Sequence, residues 1–432
     1  MQTAEDSRAS GPDPLPERPD RSRPRAPSIR QALRSLRHRN YRLFFAGQLV
    51  SLVGTWIQMV AQSWLVYRLT RSEALLGAVG FAGQIPILLL APLGGALADR
   101  VDRRRLLVTT QAASLLAAAV LALLTLLGTV TVWHVGAVAL ALGVVNAVDM
   151  PTRQAFVPSL VGKDDLVNAI ALNSTMFNGA RVVGPAIAGL LVAALGEGWC
   201  FAANAASFVA VIAGLLMMDV APRETGPHGQ STADRIAEGF RFVWGNAPIR
   251  AILLLLGVVS LTGMPYAVLM PVFSDRILHG GARGLGLLMS ASGCGALAGA
   301  VLLASRTDVR GLSRWVAMAA AGFGAGLVLF ATSRSLWLSV AILVPTGFSM
   351  IVQMASSNTL VQTLVSDDLR GRVMSVYSMM FLGMAPFGSL FAGFLAERIG
   401  APATVAIGGG VCMATAALFA WHLPSLRAKA EI

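Results

Sequence analysis

Gly95-Ala-Leu-Ala-Asp99-Arg100-Val-Asp102-Arg103-Arg104-Arg105-Leu106 crowds four arginines and two aspartates into one turn. Apolar runs at 81–98 and 106–127 flank it. Each run is near the ~20 residues that cross a ~30 Å hydrocarbon core. The turn is too short to be a domain, and arginine in such a turn marks the cytoplasmic side. Gly94 and Gly95 strip away side-chain bulk just before the charges, so another helix can come close.

The pattern continues outward. Apolar segments fall at 43–66, 75–98, 106–127, 132–150, 167–195, 200–218, 249–273, 285–304, 315–331, 336–356, 373–396 and 401–421. With 55% hydrophobic and 13% charged residues, and a mean hydropathy of +0.66, the chain reads as an all-α membrane protein of twelve transmembrane helices. With the amino terminus inside, the inner segments hold 27 basic residues. The outer loops hold six: Arg68, Arg71, Arg276, Arg283, Arg334 and Arg398. The inverted topology would need the opposite bias. Membrane orientation therefore accounts for the net charge of +12. The basic residues are scattered among short loops, which excludes a nucleic-acid partner. Lysine occurs only at Lys163 and Lys429, which with abundant Ala and Gly indicates a GC-rich bacterial genome. The expected location is the bacterial inner membrane, multi-pass, with both termini cytoplasmic.

The chain divides into five parts. Residues 1–40 form a disordered basic tail without a signal-peptide core. Its end carries a short amphipathic helix on the membrane surface, with Ile29, Leu33 and Leu36 at helical spacing among arginines. Residues 41–219 form a six-helix bundle, 220–248 a cytoplasmic linker, 249–422 a second bundle and 423–432 a tail. Within the linker, 222–229 is a polar connector. Ser231 or Thr232 then caps an interfacial helix with Ile236, Phe240, Val243 and Trp244 on one side. An internal repeat supports the division. Asp164-Asp165-Leu166 recurs as Asp367-Asp368-Leu369 at an offset of 203. Gly184 and Ala188-Gly189 recur as Gly388 and Ala392-Gly393, and Gly95-Ala96 as Gly299-Ala300, at 204. Six spans separate the copies, so the two bundles are parallel repeats.

The opening turn resembles the loop between the second and third spans of major facilitator superfamily transporters, roughly G-x-L-x-D-R-x-G-R-R-x-L. Gly95, Leu97, Asp99, Arg100, Arg103, Arg104 and Leu106 match, and Asp102 stands where the pattern has Gly. A loop, Pro151-x-Arg153 through Pro158, then Asn168-Ala169, and then Arg181-x-x-Gly184-Pro185-x-x-x-Gly189 sharpen the likeness. They are similar to an exporter branch that includes bacterial siderophore (enterobactin-type) and macrolide efflux proteins. The likeness covers residues from about 35 to 422. It implies the major facilitator fold and a secondary active exporter of an amphipathic small molecule, such as a siderophore or antibiotic. Alternating access and proton-coupled antiport are implied with it. The alternatives are a lipid or lysolipid flippase on the same fold and a non-transporting membrane receptor or assembly factor.

Candidate residues follow. The resemblance makes Gly95, Asp99, Arg100, Arg103 and Arg104 a conformational latch. In it, Asp99 meets the start of span eleven near Gly371 and Arg372 when the outer gate is open. Gly184, Pro185 and Gly189 thin one face of span five and allow a bend, either for gating or for ordinary packing. Arg181 lies about 20 Å into span five, where an arginine costs at least about 2.5 kcal/mol unless paired or hydrated. It either faces a substrate cavity or ties to backbone carbonyls. Asn178, Gln58, Gln62, Gln353, Met354, Tyr377 and Met380 are further cavity candidates, with simple packing as the alternative for the methionine stripes. Asp149, near the inner end of span four, either braces Arg153 or another inner-face arginine, or carries protons. The chain lacks a phosphate-binding loop, and Cys200, Cys294 and Cys412 are isolated. No enzyme activity, cofactor, metal or disulfide is expected. The partners are a small molecule, protons and the bilayer, and the chain is expected to be a monomer.

Overall fold

The computed structural model describes residues 33–219, 232–306 and 311–430. Ile29 of the tail helix, the connector at 222–229, Ser231 and residues 307–310 lie outside the described residues, as do most of the 1–40 tail and the last two residues. Among the described residues the chain is helical without strands. Among these described residues, twelve helices are long and apolar enough to span: Arg39–Thr70, Glu73–Arg100, Arg103–Leu126, Val132–Leu160, Lys163–Leu195, Glu197–Leu216, Ala247–Ile277, Gly281–Ala304, Leu312–Thr332, Leu336–Leu364, Asp367–Ile399 and Ala401–His422. They are spans one to twelve. The face at which span one begins and span twelve ends is the tail face, and the other is the far face.

Several helices outrun their apolar cores. Span four does not end at residue 150. It continues through Pro151 and Pro158 to Leu160, so the Pro-x-Arg-x-x-x-x-Pro element is helix and not loop. A transmembrane helix tolerates proline where neighbours shield the freed backbone groups. The carbonyl that Pro151 cannot bond, that of Ala147, lies against Gly94 of span two, where an added Cβ would sit 2.1 Å from it. The last helix also runs on to Ala430, past the end of span twelve at His422.

Small residues make each bundle, because helix contact in lipid depends on close backbone approach. The second half repeats the first. Span two packs on span four through Gly83 and Gly143, and span eight on span ten through Ser292 and Gly347, 204 residues on from Gly143. Across the seam, span five meets span eight at Gly189 and Gly286, and span two meets span eleven at Gly77 and Gly393.

The segments leading into each half follow the same rule. Before span one, the chain makes a short 3-10 turn, Arg34–Arg37, and not a helix lying free on the membrane. Ser35 Oγ donates to Asn168 Oδ1 at 2.7 Å, and the buried Asp165 carboxylate is gripped by Arg34, Arg37 and His38. Before span seven, the helix Thr232–Gly245 sets Gly239 against the Arg372 backbone, and Glu238 pairs with Arg372. Ser35 and Gly239 are 204 residues apart, as are Asn168 and Arg372. Each lead-in is thus docked on the start of its own bundle's fifth helix. In the linker helix, Val243 is buried while Trp244 is exposed, so the expected apolar side is split.

Two spans are not continuous. Span seven changes to π-helical winding at Val259–Gly263 and again at Phe273–Ile277, with Pro265 between. Span eleven breaks at Gly383, between Asp367–Leu382 and Met384–Ile399. The breaks lie together, and Ser260 of the first π turn donates to the carbonyl of Phe381.

Candidate functional site in the seam between the bundles

Gly184 is where the site starts. A Cβ there would fall 2.4 Å from Trp56 Cβ, so glycine lets span one stand against span five with its indole in the seam. One turn earlier, Arg181 sends its guanidinium over that ring, Cζ lying 5.9 Å from the centroid, at cation–π distance. Arg181 Nη2 also approaches Met350 Sδ of span ten at 3.8 Å. The Arg181 carbonyl lies 2.9 Å from where a Cβ would stand on Gly293 of span eight. Ser290 of the same span donates to Val182 O at 2.9 Å. Arg181 therefore sits where spans one, five, eight and ten converge, 14 residues from the far-face end of its helix. At ~1.5 Å per residue that is the middle of the membrane. Trp56 and Phe177 pack edge to face beside it, and Tyr266 beyond the span-seven break shares a 2.8 Å hydrogen bond with Ser292.

The far face of the seam is closed by charge. Arg71 pairs with Asp275, and Arg276 Nη1 donates to Glu73 Oε1 at 3.0 Å. Glu397, near the end of span eleven, accepts from Ser72 Oγ at 3.1 Å and from Ala74 N at 3.0 Å. It places a carboxylate on the amino-terminal end of span two, where the helix dipole favours it. Below this rim, the seam is packed through Gly77 with Gly393, Phe81 with Phe387, and Leu88 with Gly383. None of the rim acids was a sequence candidate. The available signal was the pseudo-equivalence of Arg71 with Asp275 at an offset of 204, opposite in charge.

The tail-face loop is held within its own half. Arg103 donates to Asp99 Oδ1 at 3.2 Å, Ala155 O at 2.9 Å and Ala98 O at 3.3 Å. Arg104 caps the end of span six through the carbonyls of Leu215 and Leu216, each at 2.7 Å. The Asp99 side chain is 64% exposed, and Arg372 is occupied by Glu238. Arg100 is exposed at the helix end. Gly95 meets nothing within 4 Å of an added Cβ, so in this state the close approach belongs to Gly94 alone. Of the span-five trio, Gly184 faces span one, while Pro185 O and Gly189 face Gly286 across the seam.

Asp149 lies 11 residues before the end of its helix, deeper than expected, because span four is longer. It is buried between spans three and four. Oδ1 accepts from Thr110 Oγ1 and Gln111 Nε2, each at 2.8 Å, and Oδ2 from Arg153. It does not contact Arg181. Gln58 is also turned from the seam, accepting from Asn204 Nδ2 at 2.7 Å inside the first bundle. That corrects the expectation that it lines a cavity: a buried amide on this face finds its partner on span six. Asn178 donates to Ser174 O in its own helix, and Gln62 is half-buried. In the second bundle, Gln353 is buried with its amide towards Ser357. Tyr377 donates to Met354 O at 3.0 Å, and Met380 packs on Gly257 by the broken part of span seven. The breaks themselves escaped notice in the sequence. Gly263 with Pro265, and Gly383 with Pro386, are Gly/Pro interruptions of two spans of the second bundle, and they were the available signal.

Comparison with known proteins gives this arrangement a family. The staphyloferrin A transporter of Staphylococcus aureus is 28% identical over 390 residues, 90% of this chain and 97% of that protein. The multidrug efflux pump Tap of Mycolicibacterium fortuitum is 28% identical, over 84% of this chain and 90% of its own. Macrolide efflux protein A of Streptococcus pyogenes is 25% identical, over 84% and 92%. Among solved structures, the nucleoside transporter NupG superposes with a TM-score of 0.73 at 15% identity, covering 90% of this chain and 99% of that one. A bacterial homologue of the iron transporter ferroportin, in an inward-facing state, gives 0.63 at 18%, covering 88% and 98%. These two show the fold alone. A family model described as transmembrane secretion effector matches residues 30–432, and the chain belongs to that family, within the major facilitator superfamily.

Proposed function

We propose that the chain exports an amphipathic small molecule by alternating access, with the tail face in the cytoplasm and the bundles rocking about Arg181. One observation carries this reading: a guanidinium at the membrane midplane where spans of both halves meet. The far rim is tied by Arg71–Asp275, Arg276–Glu73 and Glu397, which supports reading this as the inward-facing state. The loop chemistry supports the same assignment. Asp99 is the carboxylate that closes the tail face by taking Arg372, and here Glu238 holds that arginine instead. The similarity to a staphyloferrin A transporter and to drug and macrolide efflux proteins supports export of siderophore-like or antibiotic-like cargo.

Inward proton flow is the coupling proposed, with Asp149 as its candidate carrier. Its three partners must then release it in another state of the cycle. Reconstituted protein in liposomes tests both points, comparing wild type with Asp149→Asn and Arg181→Ala. The expected result is cargo flux that follows an imposed pH gradient and is lost in both variants. Flux that ignores the gradient refutes proton coupling, and flux unchanged in Arg181→Ala refutes the site.

A further inference from the structure

We infer that the cargo carries an oxyanion, held by Arg181 at the membrane midplane, and that the membrane potential itself drives its export. This rests on the export reading above and names the class of molecule that the site takes.

A guanidinium offers five N–H donors in a planar fork and no acceptor. In this state, Arg181 spends one donor on a thioether sulfur, a weak acceptor, and lays its charge over Trp56. Among the described residues, no carboxylate and no backbone carbonyl takes a hydrogen bond from it. The tie to backbone carbonyls is therefore not what holds it. The described acids stand elsewhere. Glu73, Asp275 and Glu397 are engaged at the far rim, and Asp99 and Asp165 on the tail face. Asp149 is enclosed in the first bundle by Thr110, Gln111 and Arg153. The charge at the centre of the seam is left for something that enters.

What fits is a compact oxyanion on an apolar body. A carboxylate or phosphate meets the fork with two parallel hydrogen bonds, the strongest pairing arginine makes. Trp56, Phe177 and Met350 surround the charge with apolar and polarisable surface that accepts an aromatic or aliphatic body. A cation is repelled here, and a neutral molecule leaves the guanidinium desolvated without a counter-charge.

The charge of the cargo sets its driving force. An anion leaving a negative interior moves downhill, by about 50-fold in concentration ratio per unit charge at 100 mV. The unloaded site is positive, so the same potential favours its return towards the interior. Proton antiport adds to this drive but is not required for it.

The test uses the full chain in liposomes with a potassium–valinomycin potential and equal pH on both sides. Four fluorescent probes are compared: dansylglycine, its methyl ester, cationic dansylcadaverine, and an NBD-labelled lysophosphatidic acid. The expected result is potential-driven flux of dansylglycine, with a carboxylate-to-ester ratio that falls at least tenfold in Arg181→Gln and recovers in Arg181→Lys. Flux of the lysophosphatidic acid alone keeps the oxyanion but assigns it to a lipid. Ester or cation carried as well as the carboxylate by wild type overturns the inference and leaves export standing. An equal loss of all probes in Arg181→Gln, with no recovery in Arg181→Lys, makes Arg181 structural and also overturns it. No flux of any probe under potential or pH gradient overturns the export reading and this inference together.

Discussion

Asp149 and Arg181 are both charges inside hydrocarbon, and their neighbours give them different work. Asp149 accepts from three side chains and is 1% exposed. Removing it leaves the buried Gln111 amide and the partly buried Arg153 guanidinium without their acceptor. Breaking a buried pair in this way costs about 3 kcal/mol or more. Asp149→Ala is therefore expected to lower the thermal midpoint of the purified protein far more than Asp99→Ala. The Asp99 pair is exposed and worth at most about 1 kcal/mol. Equal midpoints for the two variants would remove Asp149 from its bracing role. Arg153, four residues on, was legible in the sequence as a partner, since i,i+4 neighbours share a helix face. Thr110 and Gln111 were not, because nothing in the spacing of span three says which of its faces turns to span four. Arg181 was legible as a costly residue for its depth alone, but Trp56 and Met350 are known only from the packing of four helices.

Among the elements, the linker helix and span eleven form the pair with most bearing on movement. Glu238 pairs with Arg372, the arginine that the proposed tail-face latch would take. Glu238→Gln is expected to free Arg372 for Asp99 and shift the population towards a closed tail face. A single cysteine at Gly95, where the backbone has open space, reports this. Its labelling by a membrane-impermeant maleimide from the tail face should slow by several-fold in Glu238→Gln. Faster or unchanged labelling would show that the two acids do not compete. The linker helix was legible from its apolar spacing and its place between the repeats. Its docking was not, since Gly239 carries no side chain to announce a contact. The apolar runs also understated spans four, ten and eleven. Their ends are polar stretches that stay helical beyond the apolar runs.

For the whole molecule, the fold was the most legible part. Hydropathy counts the spans, arginine bias sets their expected direction, and the 204-residue offset pairs the halves. The state of the cycle was not legible, because it depends on which of two sets of contacts is formed, and both are written in the same chain. The far rim supplies the missing observation. Linking Glu73→Cys to Arg276→Cys with a short bismaleimide is expected to hold the rim shut and stop flux by at least tenfold. The same reagent on either single variant should leave most flux intact. Transport that survives the link would mean that the rim does not open during the cycle.

The rim has one more consequence. Its charges pair as opposites across the seam, Arg71 with Asp275 at the matching place of the repeat and Glu73 with Arg276 one residue off it. Two copies of the first half, brought together as a twin, would set Arg71 against Arg71 and Glu73 against Ser72. Like charges at such a contact repel, which guards against wrong partners. The closure of the far rim therefore needs the two halves to differ at these places, and a first half cannot close on a copy of itself in the same way.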